Sequence, residues 1–353
     1  MALIESIWYP DQKKTWNFAH KALFIFLLPF SIVYSIISLI IQYSTLFIKR
    51  LGLVYRSPVP VIVVGNFTVG GTGKTPVVAY LCEELKARGY SLGIISRGYG
   101  RASHDVRSVT SKTTASEVGD EALLLHQKTQ CPVVVASRRN AAIRHLLSQY
   151  SSIDIIISDD GLQHGVLQSD LRIAIIDGSR GLGNGWCLPA GPLRAPQGIG
   201  RFNQADICLV NGESLQIKPT GFVKLSSGAE ASLGPAVTLR EDKTLQAVAG
   251  IGNPGRFFRL LRQMGLTIQE YPFPDHHPFS QEDLRSLPKG TIIMTEKDAV
   301  KCASWLSSLQ RDCWALVIQA TIEKRFLERI LQVVQKGRNA EAQRVKTRRG
   351  DAG

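Results

Sequence analysis

The segment Thr68-Val69-Gly70-Gly71-Thr72-Gly73-Lys74-Thr75 constrains the fold more than any other part of the chain. An apolar run, Val61-Ile62-Val63-Val64, precedes it, and Pro76-Val77-Val78-Ala79-Tyr80-Leu81 follows. Strand, glycine-rich turn, Gly-Lys-Thr and helix in that order make a phosphate-binding loop. The glycines let the backbone fold tightly, so that successive N–H groups point at a polyphosphate beside the positive helix N-terminus. In this pattern Lys74 reaches the β- and γ-phosphates, and Thr75 offers its hydroxyl to Mg²⁺. The strict pattern has glycine where Thr68 stands. A glycine-rich turn that binds nothing is the alternative, but the flanking strand and helix supply the required context. The expected ligand is a nucleoside triphosphate.

Short apolar runs alternate with helical stretches through the rest of the chain, as a parallel α/β sheet requires. Strands are expected at Val61–Val64, Leu92–Ile95, Pro132–Ala136, Ile153–Ile157, Leu171–Ile176 and Ile207–Val210, with helices over Lys74–Arg88 and Arg139–Tyr150. Residues 178–204 are rich in Gly, Pro and Arg, and so long an irregular stretch usually serves binding. The pattern weakens over 217–240. Beyond it come strands at Gln246–Ala249, Leu266–Gln269, Thr291–Met294 and Ala315–Ile318, and helices at Gly255–Met264 and near 322–335. The expected fold is α/β: a parallel sheet of the phosphate-loop NTPase kind with flanking helices, a smaller C-terminal α/β lobe and an N-terminal membrane helix. The corresponding segments are an anchor over 1–56, a nucleotide-binding kinase domain over 57–216, a lobe boundary over 217–240, a second lobe over 241–335 and a basic, disordered tail over 336–353.

Ala22 to Ile48 contains no charged residue. Its core, Ala22–Ile41, is about 30 Å long as a helix, enough to cross a bilayer. No small-residue cleavage site follows, so the segment reads as a retained anchor and not a signal peptide. Basic residues flank it on both sides and give no orientation. Ser31, Ser35, Ser38, Gln42 and Thr45 recur at helical spacing, a polar stripe suited to a helix lying in the interface or packing on another helix. Net charge is +13, which favours acidic partners. Six basic residues between Lys336 and Arg349 face a single acid, a solvated tail or a weak anchor for anionic lipid. No nucleic-acid motif accompanies them. The six cysteines show no Cys-x-x-Cys spacing and read as buried free thiols.

Ile155-Ile156-Ile157-Ser158-Asp159-Asp160 is an apolar strand ending in paired acids, where a carboxylate can hold the Mg²⁺ shared with Thr75. Gly250-Ile251-Gly252-Asn253-Pro254-Gly255, with Glu270 further on, matches a dinucleotide fingerprint, although any tight strand-to-helix turn can produce it. Thr295-Glu296-Lys297-Asp298 resembles a guanine-reading sequence with its lysine one place late, and a helix cap at Thr295 is the simpler reading. Arginines gather at Arg97, Arg101, Arg138, Arg139, Arg194 and Arg201. Those that follow strand ends are suited to pair with a phosphate on an acceptor. Phosphoryl transfer to a hydroxyl also needs a proton acceptor, with Asp120, Asp105, His164 and the Asp275-His276-His277 run as candidates.

Taken together, these motifs resemble the tetraacyldisaccharide 4′-kinase family. The resemblance rests on Gly65 to Pro76, Ser96-Arg97-Gly98-Tyr99-Gly100, Val118-Gly119-Asp120-Glu121 and Asp159-Asp160-Gly161-Leu162-Gln163-His164. It extends through the Leu-Pro-Ala-Gly-Pro-Leu-Arg run ending at Arg194, Phe273-Pro274-Asp275-His276, and Thr295-Glu296-Lys297-Asp298. It implies that Thr68 is a family feature, that the Gly-Ile-Gly-Asn-Pro turn is structural, and that no nicotinamide is involved. It further implies Asp120 as proton acceptor paired with His276, and an acceptor site containing Arg97, Tyr99, Arg139, Gln163, His164 and Arg194. The implied cofactors are ATP and Mg²⁺. The implied acceptor is an anionic glycolipid, a tetraacyldisaccharide 1-phosphate phosphorylated on its 4′-hydroxyl in lipid A biosynthesis. By the same resemblance the enzyme sits on the inner membrane facing the cytoplasm and no protein partner is implied; the missing motif argues for no nucleic acid. A membrane-associated NTPase switch is the rival reading; it shares the loop, the acids and the anchor but needs no proton acceptor.

Overall fold

The structure, a computed structural model, describes residues 2–10, 16–162, 167–197, 205–225, 230–232 and 244–350. Helix α1 (Ala2–Trp8) and the long α2 (Phe18–Arg50) lead into β1 (Val61–Asn66), α3 (Lys74–Lys86), β2 (Leu92–Ser96) and β3 (Arg107–Val109). Next come α4 (Ala115–Val118), α5 (Asp120–Thr129), β4 (Val133–Val135), α6 (Arg139–Gln149), β5 (Ile155–Asp159), β6 (Leu171–Asp177) and β7 (Ile207–Asn211). The second half holds β8 (Leu215–Lys224), β9 (Glu230–Ser232), β10 (Leu245–Ala249), α7 (Pro254–Gln263) and β11 (Ile268–Pro272). It ends with α8 (Gln281–Arg285), β12 (Ile292–Thr295), α9 (Glu296–Cys302), β13 (Cys313–Ile322) and α10 (Lys324–Gly350).

The strands join in one continuous sheet, ordered β11-β10-β12-β13-β8-β7-β6-β1-β5-β2-β4-β3, with β9 on β8. Strands buried on both faces need unbroken apolar runs, and β1, β2, β5 and β10 are buried at every position. Val77, Val78, Leu81 and Leu85 of α3 pack into the core on one face of the first half, and Ala142, Ile143 and Leu146 of α6 into a core on the other. The second half has cores of its own around Phe258 and Met294.

Between the halves the pairing changes sense. β8 meets β7 only at Asn211↔Leu215, and β13 meets β12 only over Cys313–Leu316, while β8 and β13 pair antiparallel along their whole length. This ribbon offsets the two parallel blocks so that their carboxyl edges face each other across a cleft of about 1160 Å³. The weak sequence pattern here suggests a boundary and does not disclose β8. The strand is mostly half-buried, and it carries Pro219 opposite the register shift between Val317 and Ile318, where a ladder tolerates proline.

Helix α2 is, among the described residues, the one helix long and apolar enough to cross a membrane. Its polar stripe turns inward: Ser31, Gln42 and Thr45 are buried, while Ile25, Phe26, Phe30, Val33, Ile37 and Phe47 are exposed. Helix α10 differs from expectation. It does not stop near residue 335 but continues to Gly350, so the backbone of most of the basic segment expected to be disordered is helical.

Candidate active site

The turn after β1 is built as a cradle. Gly70 and Gly73 take φ values of 105° and 96°, which a side chain rarely adopts. Gly73 caps α3 with no side-chain hydrogen bond, which leaves the helix N-terminus open to a ligand. Thr68 is buried and bridged antiparallel to Leu193, and Val69 N–H donates to Pro192 O at 2.9 Å. The chain is therefore still extended at Thr68, and no glycine is required there.

Asp159 and Asp160 end β5 beside this cradle but differ sharply. Asp160 lies 3.6 Å from Lys74 Nζ and 3.0 Å from Arg194 Nη1. Burial opposes its charge, but these cations outweigh it and hold the carboxyl at about 2. Asp159 is 1% exposed. Burial, reinforced by the charge of Glu121, pushes it up to about 7. Its Oδ1 is buried with no hydrogen-bond partner. An orphaned carboxylate oxygen next to a phosphate cradle fits a hard cation. Among the described residues no three acids, histidines or cysteines converge as a metal cage. Mg²⁺ needs no such cage, since it is commonly held by one or two carboxylates with substrate phosphates and water.

Across the cleft, the loop after β11 delivers His276. Its φ of 59° is a left-handed conformation uncommon for a non-glycine residue, and Asp160 at φ 50° shares it; such backbone is concentrated at functional sites. His276 Nδ1 lies 2.9 Å from Asp120 Oδ2 at the start of α5. Burial pushes Asp120 up, but the hydrogen bond from His276 and the charge of Lys297 outweigh it, leaving the carboxyl below its usual range. His277 is turned away, bonded to Asp283 and packed between Phe273 and Phe279. Asp105 is exposed and bonds Ser103.

The expected acceptor residues separate in position. The Tyr99 ring is exposed and lies 4.8 Å from that of His276. Arg97 is exposed at the end of β2. Arg139, expected to face the acceptor, is instead buried, and its guanidinium donates to the carbonyls of Ala136, Asp159 and Asp160. That makes it a brace for the acidic end of β5. Gln163, His164 and Arg201 lie outside the described residues. Arg194 connects further: Tyr34 OH of α2 donates to its carbonyl at 3.3 Å, and Ser31 Oγ donates to Cys187 O at 2.7 Å. Helix α1 packs on the same loop, where Trp8 Nε1–H donates to Pro189 O and Arg180 pairs with Glu5. The loop that meets the cradle is thus the loop on which the apolar helix rests.

Glu121 and Lys297, to which the sequence patterns assign no role of their own, meet at 3.0 Å inside the cleft. The Thr295 cap is present, with Asp298 N–H donating to Thr295 Oγ1 at 3.1 Å. Local capping accounted for the motif and concealed its lysine, whose partners are more than a hundred residues away in the chain or on a neighbouring loop.

The profile of the family described as Tetraacyldisaccharide-1-P 4′-kinase matches residues 23–335. A tetraacyldisaccharide 4′-kinase from Methylobacillus flagellatus is 42% identical over 89% of this chain and 93% of its own. One from Legionella pneumophila strain Lens is 40% identical over 92% and 95%. Among solved structures, LpxK from Aquifex aeolicus in complex with ATP superposes with a TM-score of 0.72 at 26% identity, covering 89% of this chain and 99% of that one. The chain belongs to the tetraacyldisaccharide-1-P 4′-kinase family.

Proposed function

We propose that the protein transfers the γ-phosphate of ATP to the 4′-hydroxyl of a tetraacyldisaccharide 1-phosphate in lipid A biosynthesis, working at the inner membrane from its cytoplasmic side. The observation that carries this reading is the convergence of a phosphate cradle and an Asp–His pair in one cleft. A switch that only hydrolyses nucleotide has no use for the pair.

In this mechanism residues 68–75 hold the triphosphate, and Lys74 balances charge on the transferring group. Thr75, Asp159 and Asp160 would hold Mg²⁺, which when bound neutralises phosphate oxygens. Asp120 accepts the hydroxyl proton as the new P–O bond forms and the bond to the β–γ bridging oxygen breaks, releasing ADP. His276 orients the Asp120 carboxylate by donating through Nδ1. Arg97, Tyr99 and Arg194, together with Gln163 and His164, contact the acceptor's sugar and phosphate, and Arg139 acts through the β5 carbonyls. Residues 57–216 supply the nucleotide site and 241–335 the histidine, so closure over the ribbon excludes water. Helix α2 seats the acceptor loop on the lipid surface, which the outward apolar residues support.

Purified protein with Mg²⁺-ATP and the acceptor tests this directly. One ATP consumed for each 4′-phosphate formed is the expected result. ATP turnover indifferent to the acceptor would favour the switch.

A further inference from the structure

Lys297, at the start of α9, lies where the two halves meet. Its Nζ is 3.0 Å from Glu121 Oε1, 3.9 Å from Asp120 Oδ2, 3.6 Å from Asp275 Oδ1 and 3.3 Å from His276 Nε2. Only 18% of its side chain is exposed. The ammonium thus touches residues from α5 on one side and from the loop after β11 on the other. Other charges nearby are engaged elsewhere: Lys74 faces Asp160, and Lys301 is paired with Asp298 at 2.7 Å.

An ammonium group donates hydrogen bonds and accepts none. At 3.3 Å from Lys297 Nζ, His276 Nε2 must therefore present its lone pair. The other ring nitrogen then carries the hydrogen, which points at Asp120 over 2.9 Å. With the opposite tautomer, Nε2–H would face the ammonium, and two lone pairs would meet at Asp120. Burial of Lys297 costs its charge solvation, but Glu121, Asp120 and Asp275 more than compensate and raise its basicity, so the cation persists at neutral pH.

We propose that Lys297 is a positioning residue for phosphate transfer: it fixes His276 in the neutral Nδ1–H tautomer aimed at Asp120, and ties the histidine loop to α5. This rests on the kinase reading for its consequence, but the tautomer can be observed without turnover.

The first test is imidazole ¹⁵N NMR on the full chain at pH 7.5, with His276 assigned by comparison with His276→Gln. A protonated Nδ1 and an unprotonated Nε2 are expected in the native protein. An Nε2–H tautomer or an imidazolium overturns the proposal, even where transfer activity is normal. The second test is a mutant cycle. Lys297→Met is expected to lower kcat on the order of 100-fold in the native background, and less than about 3-fold when His276 is already alanine, because contacting residues that act as a unit are not additive. Equal losses in both backgrounds overturn it. Should Lys297→Met fail to fold, Lys297→Gln supplies the same cycle with a shorter, uncharged polar side chain, and the native NMR assignment stands independently. Failure of transfer in the native protein would reject the proposed function and leave the tautomer result untouched.

Discussion

Two glycine-rich turns meet in the lining of the cleft, and only the first leaves its helix N-terminus without a side-chain cap. Both follow a fully buried parallel strand, both lead into a helix, and both carry three glycines within six residues. After β1 the helix begins at Gly73 without a side-chain cap, and Lys74 stands at its first turn. After β10 the corresponding donors are already used. Asn253 Oδ1 accepts from Arg256 N–H at 3.2 Å, Pro254 supplies no donor, and Gly250 N–H donates to the buried Asp298 carboxylate at 3.0 Å. The protein's own carboxylate occupies the role an anionic ligand would take. Gly252 has a different use: a Cβ there would stand 3.2 Å from Gly71 N and 3.3 Å from Gly70 Cα. Its glycine allows the second turn to back onto the first. Glycine spacing marks close backbone approach; whether the partner is a ligand or another loop depends on the donors left open.

The largest expected effect separates the turns by chemistry. Lys74→Ala should lower transfer by more than about 10³-fold, since charge stabilisation of this kind is worth several kcal/mol, while the thermal midpoint changes little. Near-normal turnover would remove the cradle from the first turn. Next in size, Asp120→Ala and His276→Ala should each reduce single-turnover rates by about 10²–10⁴-fold with ATP affinity retained, and the double variant should be little worse than the poorer single one. Fully multiplicative losses would show that the second half contributes through another route.

The contact between the turns can be tested by volume. Gly252→Ala places its methyl 3.2 Å from Gly71 N, so the two turns must shift apart, and ATP affinity should fall by about tenfold although residue 252 offers no side chain to the nucleotide. Gly255→Ala meets nothing nearer than Arg259 Nη1 at 3.8 Å and should bind ATP normally. Equal behaviour of the two variants would mean that the turns are not coupled.

The orphaned carboxylate gives a pH-dependent distinction. Asp159 is raised to about 7 in the folded protein, so its contribution to stability is fully present below the ordinary aspartate range and is lost as pH rises through about 7. A bound cation offsets that loss. Differential scanning calorimetry should therefore find a larger Mg²⁺-induced rise in Tm at pH 8 than at pH 5.5. A rise independent of pH would place the cation elsewhere.

Much of this was legible in the sequence because it is local. The β1 cradle, the paired acids of β5 and the apolar helix each declare themselves within a few consecutive residues. The Asp120–His276 pairing did not: the residues are 156 positions apart, and only a family resemblance joined them. The β8–β13 ribbon was obscured because half-buried alternation with an internal proline resembles a linker. Arg139 shows the reverse error. A strand-end arginine beside an anion site looks like a ligand group, yet the carbonyls of Asp159 and Asp160 at the sharp exit from β5 need a donor and take its guanidinium first.

The smallest effect is expected at Asn253, and it bears most directly on why the second turn is closed. The residue is 7% exposed, and its side chain satisfies a helix N-terminal donor that would otherwise be unpaired. Asn253→Ala should cost about 1 kcal/mol, a fall in Tm of roughly 1–2 °C for a chain of this size. ATP affinity and transfer rate should remain unchanged. Unlike Gly73, residue 253 caps its helix with a side chain, so removing that side chain frees one donor without creating a cradle: Asp298 still fills the turn from behind, and no lysine follows Pro254. If the alanine variant instead gained affinity for ATP or inorganic triphosphate, a single cap would be all that distinguishes a structural turn from a phosphate site. If it lost ATP affinity, Asn253 would belong to the nucleotide site itself, and the division of work between the two turns would have to be redrawn.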